Sequence, residues 1–180
     1  MPGSNWWEPY EAVVFDLDGT LLRLDVDWRE VESDVGAVLE AEGLDPEAHH
    51  AWELLDVAES VGRHDDVDQI IADHELEGAR TAERLPLADT LVRIDRPIGV
   101  VSLNSVHAVR VALEQAGLLD AVAVVVGRGS VPERKPSPVP LLVALEALGV
   151  DPSAAIFVGD STGDETTARR AGVDFRPVAE

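Results

Sequence analysis

The feature that most constrains the fold is a short apolar run, residues 12–15, that leads directly into the motif Asp-Leu-Asp-Gly-Thr at residues 16–20. An apolar, β-branched run of this length that stops at a turn signal is typical of a strand buried on both faces of a parallel sheet. Strand alternation places Asp16 and Asp18 on one face, at the carboxyl end where open α/β sheets bind their ligands. Because two close carboxylates repel each other, the motif predicts either a shared proton or a cation between them.

The acidic composition argues against one large class of partners. The chain of 180 residues has 35 acidic and 14 basic side chains, which gives a net charge of −21. Nucleic acid is excluded as an expected partner, since phosphate backbones are bound through Lys and Arg. The carboxylates are spread along the whole chain, a pattern that resembles proteins of salt-loving organisms. Among the basic residues only Lys135 is a lysine, which suggests a position that arginine cannot fill.

Cysteine content and hydropathy indicate in which cell compartment the chain is expected. The chain has no cysteine, so disulfides, thiolate catalysis and cysteine-ligated metal sites are all excluded. No apolar run is long enough to span a bilayer, and the first residues lack the basic and apolar regions of a signal peptide. We therefore expect a soluble cytoplasmic protein without a membrane partner. The oligomeric state stays open.

The region from residue 23 to about residue 86 has the periodicity of helices and no strand signal. The first predicted helix has an apolar stripe that includes Trp28 and Val35 and ends near Gly43. A second helix is predicted to begin at residues 45–46, an Asp-Pro pair. A third is predicted to run from Asp66 towards residue 84, with His74 on its apolar face. We interpret this region as a small helical insertion.

From residue 87 onward the pattern alternates between helix and strand. Buried strands are predicted at residues 97–102, 121–126 and 154–158, with a short last strand near 173–175. Helices are predicted between them, one starting at Ser105 and one over residues 139–148. Such alternation indicates a parallel sheet with helices on both faces.

Polar residues follow several of these strands and are expected to converge. They are residues 16–20, Ser102 with Asn104, Lys135 in a proline-rich loop, and residues 159–164. In a parallel sheet all carboxyl ends lie along one edge, so these groups face one crevice. Carboxylates suit a hard cation such as Mg²⁺, whereas an ammonium, a hydroxyl and backbone N–H groups suit a phosphoryl group.

In order and rough spacing, these segments closely resemble the four motifs of the haloacid dehalogenase superfamily of phosphotransferases. Residues 16–20 resemble the first motif, Ser102 the second, Lys135 the third and residues 159–164 the fourth, so the resemblance covers the whole chain. It implies an α/β fold, a three-layer Rossmann-like parallel sheet with a small α-helical cap. The catalytic core would be residues 1–22 and 87–180, and the cap residues 23–86. The implied strand order is last, fourth, first, second, third.

The resemblance also implies catalytic roles. Asp16 would be the nucleophile that forms an aspartyl-phosphate, and Asp18 would protonate the leaving alcohol and then activate water. Ser102 and Lys135 would complete the catalytic set and bind the phosphoryl group. The expected substrate is a small phosphorylated metabolite.

The resemblance further implies ligands for phosphate and metal. Gly19, Thr20 and Asn104 would assist Ser102 and Lys135 in binding phosphate, although Asn104 departs from the family's usual spacing. The cofactor would be Mg²⁺, and its predicted ligands are the acidic residues Asp16, Asp18 (through its backbone carbonyl), Asp160 and Asp164. A purely structural alternative is that Asp160 and Ser161 cap the following helix.

Three other functions remain open beside a Mg²⁺-dependent phosphatase. A phosphoryl-transfer mutase uses the same site with a hydroxyl as acceptor. A dehalogenase needs no second aspartate as an acid, so Asp18 argues against it. A non-catalytic phosphate-binding protein would keep the fold without turnover.

Overall fold

The computed structural model describes residues 5–45 and 51–178. Its elements are, in chain order, β1 (Ala12–Phe15), β2 (Leu22–Arg23), α1 (Trp28–Ala41), α2 (Ala51–Ser60), α3 (His64–Ala79), β3 (Glu83–Arg84), α4 (Pro86–Leu91), β4 (Ile98–Ser105), α5 (Val106–Gln115), β5 (Val124–Arg128), α6 (Val139–Leu148), β6 (Ala155–Gly159), α7 (Thr162–Ala171) and β7 (Asp174–Pro177). The second helix is predicted to begin at residues 45–46, and residues 46–50 lie outside the described residues. No helix in the described ranges is both long and apolar enough to cross a bilayer.

The main sheet has five parallel strands in the order β5-β4-β1-β6-β7, which is the implied order. Strand β1 lies at its centre because it is apolar on both faces. Val13 and Phe15 pack with α4 and α5 on one side, whereas Ala12 and Val14 pack with α6 and α7 on the other. The predicted α/β fold with helices on both faces of a parallel sheet is confirmed.

Helices α1, α2 and α3 surround a separate apolar cluster. Its buried members include Val31 and Val35 of α1, Leu55 of α2 and Ile71 of α3. The helix α1 begins where the sequence suggests, because Asp27 accepts hydrogen bonds from the backbone N–H groups of the first turn. The helical character of this segment is therefore explained by its own core.

Two short strands in this region were not predicted. β2 and β3 pair antiparallel at the two points where the chain leaves and re-enters the main core. The prediction of a helix reaching residue 84 is also wrong, because α3 ends at Ala79. Gly78 packs on the chain after β2, where an added Cβ would lie 2.8 Å from the backbone of Asp25. The Asp25 backbone N–H donates to the Gly78 carbonyl at 3.2 Å, and the chain after the helix pairs with β2 through β3.

The predicted ranges of β6 and β7 are off by only one or two residues, whereas those of β4 and β5 differ more. β4 continues to Ser105, with a register shift between Val101 and Ser105, so that Ser102 and Asn104 belong to it. β5 starts at Val124 rather than residue 121, because residues 119–121 form a 3₁₀ turn, and it ends at Arg128.

Candidate active site

The carboxyl ends of β1, β4 and β6 meet around a cavity of about 270 Å³. Asp16 directly follows β1, Asp160 directly follows β6, and Ser102 lies in β4. Because β1 is hydrogen-bonded to both neighbours, these residues come from three adjacent strands. Asp16, Asp160 and Asp164 each place a carboxylate oxygen within 4.8 Å of the others. The convergence expected from the sequence is therefore present.

Lys135 is buried at the centre of these carboxylates, with 8% of its surface exposed. Its Nζ donates to Asp16 Oδ1 and to Asp164 Oδ1, both at 2.6 Å, and lies 5.6 Å from the centre of the Phe157 ring. Burial lowers the pKa of this ammonium, but Asp16 and Asp164 more than offset that effect and raise it. The lone lysine is thus a charged partner of two carboxylates.

The acidic residues have perturbed protonation equilibria. Burial, together with repulsion from Asp164, raises the pKa of Asp16 to about 6 despite the opposing attraction of Lys135. Burial followed by repulsion from Asp164 also raises the pKa of Asp160. Both shifts show that negative charge is costly in this cavity. A bound cation would lower that cost.

Asp18 lines the same cavity, and its carboxylate is bound by a backbone N–H group. Its Oδ1 accepts from the backbone N–H of Leu24 at 2.9 Å, just where the chain leaves for the helical segment. Burial raises the pKa of Asp18, the Leu24 N–H lowers it, and the neighbouring Asp160 raises it again. The net rise favours a carboxyl group that can carry a proton.

Asp164 is bound through both carboxylate oxygens. Oδ1 accepts from Lys135, and Oδ2 accepts from the backbone N–H and the hydroxyl of Ser161 at 3.1 and 2.6 Å. Ser161 caps α7 in return, and the two residues form a capping box. The alternative in which Asp160 and Ser161 only cap the following helix therefore holds for Ser161. Asp160 makes no capping contact of this kind in the described residues.

Gly19 allows Asp160 to approach. Its φ is +82°, and an added Cβ would lie 2.1 Å from Asp160 Oδ2. Thr20 is not among the residues that line the acidic cavity. Together with Gly19 it lines a second cavity on the far side of Asp160, and its buried hydroxyl has no hydrogen-bond partner among the described residues. The phosphate-binding roles of Gly19 and Thr20 stay predictions.

Ser102 and Asn104 form a buried pair on the cavity wall. The Ser102 hydroxyl donates to Asn104 Oδ1 at 2.9 Å, and the Asn104 backbone N–H donates to Ser102 Oγ at 3.2 Å. Residues two apart on a strand lie on the same face, and both side chains line the cavity. Asn104 therefore reaches the site despite its unusual spacing.

Sequence reasoning missed three residues near the site, which are Trp28, Glu75 and Arg128. Trp28, the first residue of α1, lines the cavity. Glu75 of α3 is completely buried, and it binds Asn104 and Arg128. The available signal was the position of Glu75 four residues after the buried Ile71, since a carboxylate on an apolar stripe needs a buried partner. His74, predicted on the apolar face of this helix, pairs with Asp34 at 2.9 Å.

These features can be compared with known proteins. A profile of haloacid dehalogenase-like hydrolases matches residues 10–172. The chain belongs to this family. It is 32% identical to a phosphoglycolate phosphatase of Rhodospirillum rubrum over 91% of the chain and 77% of that protein. It is 30% identical to a phosphoglycolate phosphatase of Chromobacterium violaceum, over 90% of the chain and 82% of that protein.

A solved structure gives the same result for the fold. A Lactobacillus plantarum protein with the provisional name phosphoglycolate phosphatase superposes with a TM-score of 0.65 at 28% identity, covering 92% of this chain and 84% of that one. The predicted haloacid dehalogenase superfamily, in its phosphoglycolate-phosphatase-like branch, is thereby confirmed. The chain is an enzyme, a hydrolase of the phosphatase type.

Proposed function

We propose that the chain hydrolyses a small phosphomonoester at the cavity between Asp16, Ser102 and Asp160. The observation that carries the proposal is the contact of buried Lys135 with both Asp16 and Asp164. That contact favours the ionised form of Asp16 beside a site for a phosphoryl group. 2-Phosphoglycolate is the first substrate to test, because it is the substrate in the names of the relatives.

In the proposed mechanism Asp16 attacks phosphorus and forms an aspartyl-phosphate while the P–O bond to the alcohol breaks. Asp18 carries a proton to the departing alkoxide and later removes one from the attacking water. Its raised pKa favours the first of these roles. Lys135 would neutralise negative charge on the phosphoryl oxygens, and Ser102 would orient them by donating a hydrogen bond.

The acidic cluster fits Mg²⁺, because its three carboxylates offer hard oxygen ligands within 4.8 Å of one another. Asp16, Asp160 and the backbone carbonyl of Asp18 would hold the ion directly. Asp164 would orient its surroundings, since Lys135 and Ser161 occupy both of its oxygens. When bound, Mg²⁺ screens the repulsion between carboxylates and phosphate.

We also propose that residues 23–86 act as a cap over this cavity. Support comes from the separate apolar core of α1, α2 and α3 and from the position of Trp28 in the cavity lining. A small cavity closed partly by an aromatic ring suits a small substrate and excludes water from the first step. The cytoplasmic location stays a prediction.

The decisive experiment is phosphate release from a panel of phosphomonoesters that includes 2-phosphoglycolate, in high salt with Mg²⁺ or with EDTA. We expect release from at least one ester with Mg²⁺, loss of release with EDTA, and recovery when Mg²⁺ is added back. Appearance of an isomeric phosphate ester without free phosphate would indicate a mutase. A folded protein that binds phosphate but releases none from any ester would indicate a binding protein.

Replacement of Gly19 by Ala is expected to weaken Mg²⁺ binding. The new Cβ would collide with Asp160 Oδ2, so this ligand must move away from its position. We expect the Mg²⁺ concentration for half-maximal activity to rise about tenfold, which corresponds to about 1.4 kcal/mol. The measurement is activity across a Mg²⁺ titration.

Gly43→Ala is the matched control. Gly43 has a similar φ of +78°, but an added Cβ would meet nothing within 4 Å. Both variants pay the cost of a left-handed alanine, about 1–2 kcal/mol, whereas only Gly19→Ala disturbs Asp160. An equal Mg²⁺ requirement in the two variants would contradict the assignment of Asp160 as a ligand.

A further inference from the structure

A buried ion pair connects the proposed cap to the phosphate side of the cavity. Glu75 of α3 has no exposed surface, and the Arg128 side chain at the end of β5 is only 10% exposed. Arg128 donates to both oxygens of Glu75, at 2.7 and 3.0 Å. Its Nε donates to Asp68, which lies about two turns before Glu75 on the same face of α3. A pair this deeply buried is costly unless its remaining hydrogen-bonding capacity is used.

The remaining capacity of Glu75 is used on the strand that carries Ser102. Oε1 accepts from Asn104 Nδ2 at 3.2 Å, and Oε2 accepts from the backbone N–H of Ser105 at 2.9 Å. Arg128 also donates to the carbonyl of Leu103 at 3.0 Å. Three consecutive residues after Ser102 are therefore held by one ion pair.

These contacts determine how the Asn104 amide is turned. A carboxylate that pairs with a guanidinium only accepts hydrogen bonds, so the atom of Asn104 that faces Glu75 must be Nδ2. Oδ1 then faces Ser102, and the Ser102 hydroxyl must donate to it. Without the carboxylate of Glu75, the amide could turn by half a rotation and reverse that direction.

We propose that Glu75 is a positioning residue that fixes the Ser102–Asn104 pair for phosphate binding. The proposal rests on the proposed phosphatase function, in which Ser102 contacts the phosphoryl group. Glu75 itself lies outside the cavity lining and acts through Asn104. A residue of the helical segment thereby sets the phosphate affinity of the core.

Glu75→Gln is the variant that tests this proposal. All four contacts of Glu75 come from donors, so the amide nitrogen of glutamine faces two donors whichever way it turns. With p-nitrophenyl phosphate we expect KM to rise about tenfold while kcat falls less than about threefold. The inhibition constant of inorganic phosphate should rise by about the same factor as KM, since one charge-assisted hydrogen bond corresponds to about a tenfold change.

Asp68→Asn is the matched control. It neutralises the other carboxylate that binds Arg128, yet Asp68 makes no hydrogen bond with Asn104 or Ser105 among the described residues. Asp56→Asn is a second control, because it removes a carboxylate that pairs with Arg134 outside this cluster. We expect both controls to keep KM within about twofold of wild type. An equal rise of KM in Asp68→Asn and Glu75→Gln would mean that Glu75 only stabilises the fold, and it would overturn the proposal.

A second variant keeps the test open if Glu75→Gln does not fold. Asn104→Ala leaves α3 intact and removes the amide through which Glu75 acts. We expect it to raise KM and the inhibition constant of phosphate, and, where Glu75→Gln does fold, the double variant to show no further rise. Unchanged phosphate affinity in Asn104→Ala would overturn the proposal.

Calorimetric titration with inorganic phosphate separates this inference from the proposed function. If wild type binds phosphate but hydrolyses no ester, the phosphatase proposal fails while the effect of Glu75 on the dissociation constant is still measured. A rise of about tenfold in Glu75→Gln supports the positioning role in that case as well. A dissociation constant equal to that of wild type contradicts it.

Discussion

Asp16→Asn is expected to lower kcat by roughly 10⁴-fold or more, the scale of loss when the nucleophile of a covalent mechanism is removed. The amide cannot attack phosphorus, although it keeps the shape of the carboxylate. Its oxygen can still accept from Lys135, which contacts Asp16 Oδ1 at 2.6 Å in the wild type. The fold should therefore survive, and steady-state kinetics with the best ester of the panel gives the measurement.

Asp18→Asn distinguishes the two aspartates. Asp18 accepts from the Leu24 N–H and makes no contact with Lys135 among the described residues. If it is the general acid and base, its loss slows both steps, but an ester with a good leaving group can still phosphorylate Asp16. Mass spectrometry of substrate-treated Asp18→Asn should then find phosphate on Asp16. Phosphate on Ser102, or full activity of Asp16→Asn, would exclude the aspartyl-phosphate route.

The central part of the fold could be predicted because its signals are local. Residues 12–15 alternate between the two faces of the sheet, and both faces are covered by helices, so an apolar run ending in Asp16 had one simple interpretation. The convergence of Asp16, Asp160 and Ser102 followed from the shared direction of parallel strands. Lys135 was found because it is the only lysine.

The features that were missed depend on distant partners. β2 and β3 have two residues each, too few for an alternating pattern, and they pair across the whole helical segment. His74 and Glu75 both border the apolar stripe of α3, and hydropathy favours burial of the imidazole. The structure buries Glu75 instead, because the guanidinium of Arg128, 53 residues later, lies opposite. The apolar stripe of α3 can suggest a buried carboxylate at Glu75, but no single-sequence pattern identifies Arg128 as its partner.

The position of Thr20 depends on the turn that precedes it. The motif at residues 16–20 implies a phosphate contact for its last member, but the chain turns at Gly19, whose φ is +82°. Thr20 lines the second cavity rather than the acidic one, and its phosphate-binding role stays a prediction. A motif gives residue types and order, whereas the direction of each side chain depends on the turn between them.

Lys135→Ala is expected to depress kcat/KM strongly at every salt concentration. The variant leaves Asp16 and Asp164 close together with no ammonium between them, and breaking a buried ion pair typically costs about 3–5 kcal/mol. Bulk salt screens exposed charges, with a screening length of roughly 30 Å at 0.01 M and about 3 Å at 1 M. Because Lys135 and Asp16 are buried, mobile ions cannot take the place of the ammonium.

Salt should have a large effect on the stability of the whole protein, because that stability depends on the net charge. With a net charge of −21, mutual repulsion weakens the folded state at low ionic strength, so the melting temperature of the wild type should rise steeply between 0.01 and about 1 M salt. Arg110→Ala is the matched control, since it removes one positive charge from an exposed position on α5. We expect it to regain wild-type activity and stability in high salt, while Lys135→Ala does not. Wild-type activity of Lys135→Ala in high salt would mean that the lysine contributes only to the net charge, and its assigned role beside Asp16 would be wrong.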